Sequence, residues 1–158
     1  MDALGNIYIA DTNNRRIRMV NTSGTISTLA GNGSSGFSGD GGPAVNAALA
    51  DPTGVGMDGS GKIYIADTNN QRIRKVDPSG TITTVAGDGN AGFSGDGGSA
   101  TDARLNFPTG VSVTASGTIY FADRENHRVR MVDGSGVITT LAGTGSFGYS
   151  GDGGPATL

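Results

Sequence analysis

One stretch of residues returns at an invariant interval. Ile7-Tyr8-Ile9-Ala10-Asp11 recurs as Ile63-Tyr64-Ile65-Ala66-Asp67 and again as Ile119-Tyr120-Phe121-Ala122-Asp123, each copy 56 residues after the last. The same interval links Gly39-Asp40-Gly41-Gly42 to Gly95-Asp96-Gly97-Gly98 and Gly151-Asp152-Gly153-Gly154. It also links Pro52-Thr53-Gly54-Val55 to Pro108-Thr109-Gly110-Val111. No insertion interrupts the frame, so each copy is one structural unit and the units stack. The copies divide the chain at 1–56, 57–112 and 113–158, within one domain. In this frame Met1 aligns with Met57 and Leu158 with Asp102. The first copy is therefore expected to lack its opening strand, and the last copy its end.

Each copy reads as four short strands. The first is Gly54–Met57 or Gly110–Val113, entered after a Pro that cannot donate to a ladder. The second, at 7–10, 63–66 and 119–122, is β-branched and aromatic. A turn rich in Asx follows, and then Arg16-Ile17-Arg18-Met19-Val20 and its equivalents alternate charged and apolar residues, as on a half-buried sheet face. A Ser-Gly turn (Ser23-Gly24, Ser79-Gly80, Ser135-Gly136) leads to the fourth strand, Thr25–Ala30 in the first copy. The 29 glycines and the absence of any apolar run at helical spacing agree with many tight turns and no long helix. Ile7 and Ile9 alternate with Tyr8 and Ala10, so both faces of the sheet are apolar and a lone sheet leaves one of them wet. Stacking sheet on sheet around an axis covers both. The predicted fold is all-β: a β-propeller of four-stranded antiparallel blades, three per chain. A linear β-helix is excluded, because its repeats are far shorter than this one.

Asn126-His127-Arg128-Val129, preceded by Tyr120-Phe121-Ala122-Asp123, resembles the NHL repeat family. The other copies keep the frame as Asp11-Thr12-Asn13-Asn14-Arg15-Arg16-Ile17 and Asp67-Thr68-Asn69-Asn70-Gln71-Arg72-Ile73, with Arg15 and Gln71 in place of the signature His. The segment Gly80–Gly87 is similar to the family's fourth strand. The resemblance spans essentially the whole chain. It implies a propeller, most often of six blades, used mainly for protein binding and in some members for RNA binding or catalysis.

Three blades do not close a ring. Either two chains pair as a homodimer to complete six blades, or further blades belong to a longer parent chain. An isolated arc would expose two apolar faces and open strand edges, so self-association is the expectation. The absent first strands weigh against a neat ring.

The longest connection in each copy carries the candidate ligand residues: Phe37 and Asp40, Phe93 and Asp96, Tyr149 and Asp152. As a binding loop it would offer an aromatic contact and a carboxylate. Calcium requires six to eight oxygens, and one Asp per loop plus backbone carbonyls is a thin set, so no cofactor is expected and calcium stands as the weaker alternative. The favoured alternative is a compact loop, in which glycines take positive φ, the Asp caps backbone N–H groups and the aromatic plugs the gap between blades. Asp11, Asp67 and Asp123 precede Arg16, Arg72 and Arg128 by five residues, and an ion pair or an Asp–backbone bond that fixes the hairpin is expected. His127 is the single histidine. One histidine cannot build the zinc site of a lyase-like enzyme, and a solvent-facing turn residue is expected instead.

The net charge of −3 and the two lysines, Lys62 and Lys75, disfavour nucleic acid and anionic membrane as partners. The Arg pairs (Arg16 and Arg18, Arg72 and Arg74, Arg128 and Arg130) share a strand face, where neighbouring Asp and Tyr are expected to pair with them. No cysteine is present. No stretch is apolar enough for a transmembrane helix or a signal-peptide core. The polar, Gly-rich and Lys-poor composition points towards a secreted or bacterial envelope protein. The expected function is a non-enzymatic binding or scaffold module with a protein or glycan ligand; a purely structural self-assembling array is the alternative, and a metal-dependent lyase-like enzyme ranks last.

Overall fold

A computed structural model describes residues 1–158. Eleven strands form three antiparallel sheets, each laid down in chain order. The first blade holds β1 (Ile7–Asp11), β2 (Arg16–Val20) and β3 (Ile26–Ala30). The second holds β4 (Pro52–Met57), β5 (Ile63–Asp67), β6 (Arg72–Val76) and β7 (Ile82–Ala86). The third holds β8 (Pro108–Val113), β9 (Ile119–Asp123), β10 (Arg128–Val132) and β11 (Ile138–Ala142). These are propeller blades, as the repeat predicts.

The boundaries shift slightly from the sequence expectation. The opening strands begin at Pro52 and Pro108 rather than two residues later, because each proline pairs with the Asp that ends the next strand, across a bulge. The fourth strand of the first copy starts at Ile26, one residue late. A 3₁₀ turn links the second and third strands of each blade and ends in a left-handed residue: Arg15 (φ 54°), Gln71 (φ 55°) and His127 (φ 51°). The position of the signature His thus demands a backbone conformation, and three different side chains supply it.

The alternation of β5 explains the stacking. Ile63 and Ile65 face the first blade and join Ile17, Leu49 and Ile82 in one buried layer. Tyr64 and Ala66 face the third and join Ile73, Leu105, Phe121 and Ile138 in the other. The innermost strands come together where side chains are smallest: a Cβ on Gly54 would lie 2.9 Å from the Gly110 nitrogen, and one on Gly56 2.9 Å from the Val111 oxygen. The blades can approach this closely at β4 and β8 only because glycine has no side chain to collide.

The outer turns are held by a side chain that a Ser-Gly signal does not disclose. Asp77 Oδ1 accepts from the Ser79 hydroxyl at 2.6 Å and from the backbone of Ser79 and Thr81, each at 2.9 Å. Asp133 does the same in the third blade, and Asn21 serves in the first. The Ser79 and Ser135 hydroxyl bonds hold the Asp77 and Asp133 carboxyls below the usual range. Their contribution to stability is therefore present above the unfolded value of about 3.9 and is lost as pH falls through the folded one. Because Asn21 makes the same turn, the double variant Asp77→Asn, Asp133→Asn should melt with the parent at pH 7. It should lose less stability than the parent between about pH 4 and pH 2 in thermal melts followed by circular dichroism.

Candidate functional site

The long loops end not on their own blades but on the next ones. Phe37 lies beneath two guanidiniums of the second blade, with its ring centroid 3.8 Å from Arg72 Cζ and 4.7 Å from Arg74 Cζ. Asp40 Oδ1 accepts from Arg74 Nη2 at 2.7 Å and Nε at 3.1 Å, while its Oδ2 accepts from Thr84 Oγ1 at 2.7 Å. The loop backbone pairs with the outermost strand: Gly41 N donates to Ile82 O at 2.8 Å, and Ile82 N donates to Gly42 O at 3.0 Å. Asn70 Nδ2 closes the contact on Gly36 O at 2.7 Å.

The second junction repeats the first. Phe93 sits 3.9 Å from Arg128 Cζ and 4.8 Å from Arg130 Cζ. Asp96 accepts from Arg130 Nη2 at 2.7 Å and from Thr140 Oγ1 at 2.6 Å. Gly97 N donates to Ile138 O, Ile138 N donates to Gly98 O, and Asn126 donates to Gly92 O. Each contact combines stacking on an aromatic face, a charge-assisted hydrogen bond and a strand-like backbone pair.

Behind each latch lies a buried ion pair. Asp67 and Arg74 are fully buried, with Arg74 Nη1 3.2 Å from Asp67 Oδ2. Asp67 also accepts from the Ala50 backbone N–H and from Asn70 Nδ2, each at 2.8 Å. Asp123 repeats this with Arg130, Asn106 and Asn126. Burial pushes both carboxyls up, opposed by the donors aimed at them. The expected backbone bond is present, but the ion partner differs from the one the five-residue spacing suggests. Asp67 and Asp123 pair with the Arg seven residues on. Arg72 and Arg128 instead donate to backbone carbonyls of Asn70 and Asp88, and of Asn126 and Thr144. Nor do the tyrosines pair with the arginines: Tyr64 faces the opposite side of its sheet and donates to Asp58 at 3.2 Å.

The terminal copies differ. Tyr149 is 85% exposed, and its hydroxyl donates to Asp152. His127 is exposed, edge-on to Phe147 at 5.9 Å between ring centroids. In the first blade Arg18 meets Asp11 at 3.5 Å and the Ser27 carbonyl at 3.4 Å, with a quarter of its side chain exposed. No three His, Cys, Asp or Glu side chains come together as a metal-ligand set. No helix is long and apolar enough to cross a membrane.

The model of the teneurin NHL domain matches residues 33–94 and 89–152. The chain belongs to the NHL-repeat family. The protein SUPPRESSOR OF QUENCHING 1, chloroplastic, of Arabidopsis thaliana is 34% identical over 134 residues, covering 80% of this NHL chain and 12% of its own length. The chain spans less than a fifth of the curated relatives it matches. Among solved structures, a Bacteroides thetaiotaomicron protein of unknown function aligns with a TM-score of 0.65 and 27% identity, over 74% of this chain and 29% of that one. Virginiamycin B lyase from Staphylococcus aureus aligns with a TM-score of 0.58 over 89% of this chain and 39% of its own, at 15% identity, which is a likeness of fold alone. Relatives and neighbours come from eukaryotes and bacteria alike, so the NHL repeat does not indicate a bacterial source.

Proposed function

We propose that this NHL segment is a non-enzymatic scaffold and protein-binding module that associates with a second copy of itself to extend its ring of blades. The observation that carries this reading is the repeated latch. At both internal junctions the aromatic and the Asp of the candidate loop are engaged by the following blade, so residues that look available for a ligand hold architecture instead. Near-identical blades also suit multivalent protein contact better than a single catalytic constellation. A secreted or envelope setting belongs to the same proposal, with the polar, Lys-poor composition as its support.

Light scattering on the purified chain tests it. The expected mass at micromolar concentration is twice the 15.8 kDa of one chain, and calcium and EDTA leave the melting temperature unchanged. A monodisperse monomer overturns self-association, and turnover that depends on added metal overturns the non-enzymatic assignment.

A further inference from the structure

We propose that the Gly148–Gly154 loop and the outer edge of the first blade are the two halves of one latch, and that they join head to tail between copies of this chain. The inference rests on the self-association proposed above and specifies its contacts.

The internal junctions supply the template. Every element of the donor half recurs in the last copy: the aromatic is Tyr149, the carboxylate is Asp152, and Gly153 and Gly154 stand where Gly41 and Gly42 pair with β7. The loop keeps its shape, with Gly154 N donating to Gly151 O and Gly143 N to Ala156 O, as Gly42 donates to Gly39 and Gly31 to Ala44. Every element of the acceptor half recurs in the first copy: Arg16 and Arg18 for Arg72 and Arg74, Thr28 for Thr84, and Ile26 for Ile82.

Burial shows how different the acceptor half is from its equivalents. Ile26 is 52% exposed, whereas Ile82 and Ile138 are wholly buried. Arg74 and Arg130 have no exposed side-chain surface, whereas Arg18 keeps 25%. Ile7 and Ile9 are 49% and 38% exposed, against 6% and 0% for Ile63 and Ile65. The head of the chain is thus apolar and cationic, and its tail is aromatic and anionic. A tail cannot latch onto a tail, because two carboxylates would meet without an arginine. The contact is heterologous, and in a two-chain ring it forms twice. A second copy fits better than an unrelated partner, since it carries both the Arg pair and the backbone edge in the spacing that the latch uses.

A charge exchange tests this in the whole chain, with sedimentation velocity as readout. Asp152→Arg sets arginine against Arg18, and Arg18→Asp sets aspartate against Asp152. Each variant alone should weaken association by about 100-fold or more, as expected when one partner of a desolvated charge pair is reversed. Mixed in equal amounts they should re-form dimers, since one junction is then the parent pair and the other its reverse. Recovery on mixing also shows that both variants are folded. If the parent chain is a monomer, both the self-association and this junction fail. If the parent and both single variants are dimers of equal affinity, self-association stands and the junction is wrong. If the variants are monomeric and stay so when mixed, the head-to-tail pairing is wrong.

Discussion

Replacing Arg74 by Met is expected to cost about 3–5 kcal/mol of stability, the usual penalty for leaving a buried charge without its partner. In a chain of this size that lowers the melting temperature by roughly 10 °C. Arg74 is the hub of the first junction: it holds Asp67 within its own blade, Asp40 across the gap, and the Ser38 carbonyl at 3.1 Å. Methionine fills much of the space but satisfies none of the three. The same substitution at Arg18, its equivalent in the first blade, should cost under about 1 kcal/mol, because that pair is partly exposed and longer. A comparable loss at both positions would show that burial does not set the effect. The deficit at Arg74 should also depend on pH. Burial holds the Asp67 pKa above its unfolded value, and removing the arginine raises it further. Protonation then favours the folded form, so the variant is least impaired below about pH 4 and most impaired once pH has risen through the folded value. Urea titrations at pH 4 and pH 8 check the sign.

That arginine also marks the limit of what the sequence discloses. The period, the strands and the two apolar faces are legible because each is local: Ile63 and Tyr64 alternate, Asn70 and Gln71 turn the chain, and every copy repeats them. Arg16-Ile17-Arg18 reads as a half-buried strand whose charges share one face with neighbouring Asp and Tyr. In the second and third blades the equivalent arginines, Arg74 and Arg130, are fully buried. The alternation is the same in either case, and only the neighbouring blade decides. Asp40 and Arg74 are separated by 34 residues, in different repeats, so no window confined to one copy contains the pair. Phe37 and Asp40 stand out in the sequence as unusual, yet their partners emerge only on asking what a loop meets after the chain has turned into the next blade. A usable signal is present: the Arg doublet and the aromatic–Asp loop occur in every copy at a constant offset.

The second large effect is expected at a glycine. Gly87 follows β7 with a φ of +92°, and a Cβ there would lie 2.1 Å from the Gln71 carbonyl oxygen and 3.0 Å from Arg72 Cα. Both obstacles are backbone, so no rotamer change relieves them. Gly31 and Gly143 meet the carbonyls of Arg15 and His127 in the same way, at 2.2 Å. The contact arises because the third and fourth strands are joined here through a bulge, and the Gly87 N–H donates to Ala100 O at 2.9 Å, tying the end of β7 to the 3₁₀ turn at Ala100–Asp102, late in the connection to β8. Ala at position 87 must therefore bear a left-handed conformation and also push the two strands apart. The first costs about 1–2 kcal/mol for a residue with a Cβ, and the second, as overpacking, a further ~1–3 kcal/mol. Gly80 separates the two terms. Its φ is +85°, yet no atom lies within 4 Å of the place a Cβ would take, so Gly80→Ala should show the conformational cost alone. Chemical denaturation of the two variants should place Gly87→Ala at least about 1 kcal/mol below Gly80→Ala. Equal stabilities would mean that the strands separate at no cost, and that the close approach behind the latch does not hold the blade together.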